Sequence, residues 1–126
     1  MDWIDGTVAI GNWHDARNVK RLREENIDLI LNAKTLFDDR EGRSRRRPDL
    51  GRVRRATSML IDLSSTDIKV LVHCHHGRDR SPFLVMLYLS QKMGVGHHEA
   101  YDLVKQKRSI TVMHWDWVEL FEKAPT

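Results

Sequence analysis

Residues 70–93 read VLVHCHHGRDRSPFLVMLYLSQKM, and no other stretch narrows the folding options of this chain as much. A short apolar run ends at the only cysteine, Cys74, and residues 75 to 80 are polar or glycine. From Ser81 onward the pattern is apolar on nearly all sides, which suits a central buried helix rather than a surface one. Pro82 falls in its first turn, where a missing N–H is tolerated. The unit is therefore strand, tight loop, buried helix, and it predicts a layered α/β arrangement.

The remaining segments fit that frame. WIDGTVAIGN has two β-like pieces around Asp5 and Gly6, a hairpin signal. From Asp15, the spacing of Ala16, Val19 and Leu22 predicts a helix that runs to Glu25. IDLILN reads as a buried strand through Ile27, Leu29, Ile30 and Leu31, and KTLFDDREGRSRR reads as a loop. Pro48 and Asp49 open a helix whose apolar positions are Leu50, Val53, Ala56, Thr57, Leu60 and Ile61. IKVLVHC is a second buried strand, and HHEAYDLVKQKR and MHWDWVELFEKA are two further helices. Strands alternating with helices predict one α/β domain over residues 1–126, with a mainly parallel central sheet flanked by helices.

Length and composition exclude several classes. With 126 residues, 40% of them hydrophobic, the chain is long enough for one core and too short for two. No apolar run approaches the roughly 20 residues that span a bilayer. MDWIDG lacks the layout of a signal peptide, so a soluble, cytoplasmic, monomeric protein is expected. A single cysteine excludes an intrachain disulfide and a multi-cysteine zinc site. The net charge of +3 is uneven, because residues 40–55 hold eight arginines. Such a run suits a solvated loop and helix face, and it also suits attraction of anionic substrates or nucleic acid.

Beyond the carboxyl end of a strand, a loop curling into a helix N-terminus points backbone N–H groups inward, where they bind an oxyanion such as phosphate. Gly77 permits the tight curl, and Arg80 offers a planar fork that matches two phosphate oxygens. His75, His76, Gly77, Arg78, Asp79 and Arg80 form this candidate substrate-binding loop. A thiolate at Cys74 is favoured by the same positive field and becomes the candidate nucleophile. Ser81 is placed to donate a hydrogen bond to the sulfur, and His73 to order the loop. His75 and His76 are adjacent on a tight loop with no matching cluster nearby, so neither a metal site nor a cofactor is expected.

HCHHGRDRSP resembles the His-Cys-x5-Arg-Ser/Thr signature of the cysteine-dependent protein tyrosine phosphatase superfamily, and within it the small dual-specificity phosphatases. RSPFLVMLYLSQKMGVGHHEAYDLVKQKRSI is similar to the central helix, turn and following helix of that family. GTVAIGNWHDARNVKRLREENIDLILN resembles its N-terminal part, so the likeness covers roughly three-quarters of the chain. The resemblance implies a protein tyrosine phosphatase-like fold and hydrolysis of phosphotyrosine, phosphoserine or phosphothreonine in proteins through a phosphocysteine. It also implies an aspartate upstream of the cysteine that protonates the leaving group. Asp38 and Asp39 lie 36 and 35 positions before Cys74, and Asp39 is the preferred candidate.

The chain departs from the family in two places. AKTLF compresses the strand before the acid loop, and TVMHWDW stands where the family has Pro-Asn, which leaves His114 as a candidate buttress. Two alternatives stay open beside the protein phosphatase. RNA 5′-triphosphatases of the same superfamily have a loop that His76 and Gly77 resemble, although Asp79 replaces their asparagine. A catalytically inactive phosphate-binding module also keeps the fold.

Overall fold

The structure, a computed structural model, describes residues 1–38 and 47–124. In chain order its elements are β1 (Asp2–Trp3), β2 (Val8–Gly11), α1 (Trp13–Arg17), α2 (Val19–Glu24), β3 (Leu29–Asn32) and a 3-10 helix (Ala33–Leu36). There follow β4 (Phe37–Asp38), β5 (Arg47–Pro48), α3 (Leu50–Leu63), β6 (Val70–His73), α4 (Arg80–Met93), α5 (His97–Lys107) and α6 (Trp115–Lys123). The central sheet has the order β1-β2-β6-β3. β2 and β3 run parallel to β6, and β1 pairs antiparallel with β2, so the sheet is mixed and mainly parallel as expected.

Consecutive side chains on a strand point to opposite faces. Val8, Ala9 and Ile10 of β2 and Val70, Leu71 and Val72 of β6 are all fully buried, so both faces of the two central strands are covered. α4 packs against β2, β6, α3 and α5. Every residue from Arg80 to Leu89 is buried, which is what its nearly continuous apolar sequence predicts. α3 begins after Asp49, whose carboxylate accepts a hydrogen bond from the Arg52 N–H and caps the helix.

Three local expectations need correction. The helix read from Asp15 to Glu25 is broken at Asn18, whose side chain caps α2 by accepting from the Arg21 N–H. A local side-chain cap there competes with helix continuation, and Val19 is left 57% exposed. The strand read as buried, β3, lies at the edge of the sheet, with Leu29 44% and Ile30 47% exposed. An apolar run does not distinguish a central strand from an uncovered edge. The stretch read as a loop from Lys34 instead begins in a 3-10 helix (Ala33–Leu36) and continues into β4, which pairs with β5 through Phe37 with Pro48 and Asp38 with Arg47, so Pro48 closes a short strand and the helix opens only after Asp49.

Asp5 joins the first hairpin to α4. Its carboxylate accepts from the Thr7 and Val8 N–H groups, from the Tyr88 hydroxyl at 2.6 Å and from the Lys92 ammonium at 2.9 Å. Burial pushes the Asp5 carboxyl upward, but the bonds from Tyr88, Lys92, Val8 and Thr7 overcome this and hold it below its ordinary value. Asp5→Ala leaves the Tyr88 hydroxyl and the turn amides without their acceptor. It should lower stability by about 2–3 kcal/mol, and Tyr88→Phe by about 1 kcal/mol, in urea denaturation.

Candidate functional site

The loop between β6 and α4 is shaped by what its carbonyls contact. The Trp13 N–H donates to the His75 carbonyl at 3.1 Å, and the Val112 N–H donates to the Arg78 carbonyl at 2.7 Å. Arg108 Nε donates to the Gly77 carbonyl at 2.6 Å. In a trans peptide the N–H points opposite to the preceding C=O, and no described peptide bond is cis. Three carbonyls held outward therefore turn the N–H groups of His76, Arg78 and Asp79 toward the inside of the loop. The result is a concave set of donors at the N-terminus of α4, suited to an oxyanion.

Gly77 is required where it stands. Its φ is +64°, and a Cβ there would lie 2.4 Å from the Gly11 carbonyl oxygen and 2.5 Å from Arg108 Nη2. Cys74, 1% exposed, sits just past the end of β6. Its Sγ is 3.2 Å from the Ser81 Oγ and accepts from the Ser81 N–H at 3.5 Å. Arg80 is the first residue of α4 and only 2% exposed, with Nε 4.0 Å from Asp79 Oδ1.

Asp79 caps α4 by accepting from the Arg80 N–H at 2.7 Å, and its other oxygen meets His114 Nε2 at 3.1 Å. The Asp79 side chain thus serves the helix start, and its backbone N–H faces the loop. His114 does buttress this end of the loop, and its ring stacks on Trp117 at 4.0 Å. Trp117 in turn packs against Phe37 and Phe83. Phe37 therefore ties β4 to the first turn of α4. Asp38 follows in β4, whereas Asp39 and the arginines of residues 40–46 lie outside the described residues. His75, His76 and Arg78 are exposed around the loop. A cavity of about 270 Å³ opens beside Cys74, lined by Trp13, Asn32, Lys34, His73 and His75.

Arg108 is the residue that sequence reasoning missed. It is 6% exposed, and besides the Gly77 carbonyl it contacts Asp2 Oδ2 at 2.8 Å and the Ile10 carbonyl at 3.4 Å. A charged residue at the end of a predicted helix reads as solvated, and only the fold shows the chain curling over it. Among the described residues no group of three histidine, cysteine, aspartate or glutamate side chains comes together to hold a metal ion, and no helix is long and apolar enough to cross a membrane.

A parallel strand ending at a buried cysteine, an amide-lined loop and a helix that opens on a buried arginine are the arrangement of the cysteine-dependent phosphatases. The chain belongs to the dual-specificity phosphatase family, whose catalytic-domain model matches residues 8–124. Human dual specificity protein phosphatase 7 is 43% identical over 54 residues, which are 43% of this chain and 13% of that protein. The chain spans between 11% and 14% of the length of the curated relatives it matches. Human DUSP28 superposes with a TM-score of 0.77 at 16% identity, covering 98% of this chain and 96% of that one. A leucine rich repeat and phosphatase domain containing protein from Entamoeba histolytica gives 0.78 at 20% identity, covering 97% and 90%. These two structures bear on the fold alone.

Arg108→Lys keeps the charge and loses the fork that holds the Gly77 carbonyl. It should weaken phosphate or tungstate binding by about 10-fold or more by calorimetry, whereas Asp2→Asn, which touches only the partly exposed pair, changes it little. A second expectation concerns pH. Desolvation, opposed by the Cys74 backbone and Asp15, holds His73 below its ordinary value. Desolvation, together with His76, Arg80, Lys34 and His14, does the same for His75. The unfolded chain then binds protons first as pH falls through about 6.5, so stability drops on acidification and is regained above that value. Thermal midpoints measured from pH 7.5 to 5 should fall less steeply in His73→Asn than in the parent.

Proposed function

We propose that this protein hydrolyses phosphotyrosine and phosphoserine or phosphothreonine in proteins through a phosphocysteine intermediate. The observation that carries the reading is one short loop that begins at the Cys74 thiol, turns its N–H groups inward and ends at the buried Arg80 that opens α4. Phosphate seats in the loop, with its equatorial oxygens on the amides and on the guanidinium. The Cys74 thiolate attacks phosphorus in line, and the bond to the leaving oxygen breaks as Asp39 delivers a proton to it. Water then attacks the phosphocysteine and gives its proton to the same carboxylate, and Cys74 leaves as a thiolate with the Ser81 hydroxyl 3.2 Å away to stabilise it. No metal ion enters any step.

Cys74→Ser should abolish turnover yet retain phosphate binding, and Arg80→Ala should lose both. Acid quench during turnover of the parent should trap a phosphorylated Cys74, visible by intact mass. Asp39→Asn should slow phosphopeptides by about 10²–10⁴-fold and activated aryl phosphates much less, because a good leaving group needs no proton. Sustained hydrolysis by Cys74→Ser sinks the covalent mechanism. The same leaving-group pattern in Asp38→Asn instead of Asp39→Asn transfers the acid role to its neighbour.

A further inference from the structure

The cavity beside Cys74 has a wall and a charge that the chemistry of phosphate transfer does not use. Trp13 fixes the His75 carbonyl through its backbone, and its ring lies parallel to that of His75, with centroids 5.8 Å apart and planes within 6°. His14 stacks on the same indole at 3.8 Å, and the Arg17 guanidinium lies 5.3 Å from its centroid. The indole is therefore held in place before any ligand arrives. Across the cavity, Lys34 rises from the 3-10 helix, whose backbone is braced three times over. Asn32 Oδ1 accepts from the Lys34 N–H, Thr35 Oγ1 donates to the Asn32 carbonyl, and Arg52 donates to the Thr35 carbonyl. The Lys34 side chain is exposed, and among the described residues no carboxylate pairs with its ammonium.

A braced cation at the lip of the nucleophile's cavity, with no carboxylate paired to it among the described residues, is an anion-selecting position. We propose that Lys34, with the Trp13 wall opposite, is a specificity-determining subsite that takes an acidic side chain adjacent to the phosphorylated residue of a substrate peptide. The inference rests on the phosphoprotein phosphatase reading and names the sequences it prefers. One ammonium matches one carboxylate. A 5′-triphosphate end brings two further phosphates, for which the described lining of this cavity offers one lysine and an aromatic wall. The side chain is solvated, so the discrimination is that of a screened surface pair and should be modest.

The test separates this subsite from the chemistry. In the Cys74→Ser background, calorimetry would compare a phosphotyrosine hexapeptide carrying glutamate on both sides of the phosphotyrosine with the same peptide carrying glutamine. The glutamate peptide should bind about two- to fivefold tighter at low salt, and the advantage should shrink in 0.5 M salt. Adding Lys34→Glu should invert the preference, and Lys34→Arg should keep it. The thermal midpoints of the variants, matched to the parent, exclude misfolding as the cause. Equal affinities for both peptides, a preference unmoved by Lys34→Glu, no binding of either peptide, or tighter binding of a 5′-triphosphorylated RNA oligonucleotide than of the acidic peptide would each overturn the proposal. Absence of turnover by the parent, with the preference intact, would instead defeat the phosphatase reading and leave the subsite standing.

Discussion

The Gly77 carbonyl has to point away from Cys74, and the rest of the site follows from that orientation. A carbonyl turned inward would set a negative oxygen against any bound phosphate and withdraw the Arg78 N–H from it. Arg108 prevents this with a charge-assisted hydrogen bond of 2.6 Å, stronger than a neutral one. The Trp13 and Val112 amides hold the flanking carbonyls at 75 and 78 in the same sense. Three donors from two distant segments, residue 13 and the stretch from 108 to 112, are thus brought together to hold one loop in one conformation. The cost of arranging dipoles is met during folding, so none remains when an anion arrives.

Two buried guanidiniums in one small region call for a rigid, apolar surround, and α4 supplies it. Burial of every residue from Arg80 to Leu89 leaves the helix no freedom to shift relative to β2 and β6. The aromatic trio of Phe37, Phe83 and Trp117 extends this platform to the C-terminal helix and through His114 to Asp79. Packing thus places the start of α4, and the cap of that helix then places Arg80. An alanine at Trp117 would act on the loop through His114 and Asp79.

Much of this was legible in the chain. The strand, loop and helix around Cys74 could be read because their signals are local: an apolar run, a glycine, a first-turn proline and an unbroken apolar helix. The two boundaries that face the loop agree to within one residue, with β6 ending at His73 and α4 starting at Arg80, while β6 starts two residues later than the apolar run, at Val70. What could not be read is what depends on the third dimension. Arg108 lies far from Gly77 in sequence, and nothing about a lysine- and arginine-rich helix end marks one side chain as buried. The edge position of β3 escaped for a similar reason, since Leu29 and Ile30 are as apolar as a central strand and only sheet order exposes them. The break at Asn18 was within reach, because an asparagine inside a weak periodic pattern is a helix cap in waiting.

The contact between Gly77 and Gly11 also has a genetic reading. Every missense change at codon 77 adds at least a Cβ, and that atom would stand 2.4 Å from a backbone carbonyl in β2 that cannot swing aside. Loss of the loop's shape is then the common outcome of all such alleles, whichever amino acid they encode. Codon 6 is the opposite case, because a Cβ at Gly6 meets nothing within 4 Å. Variation among natural copies of this gene should accumulate at codon 6 and be purged from codon 77.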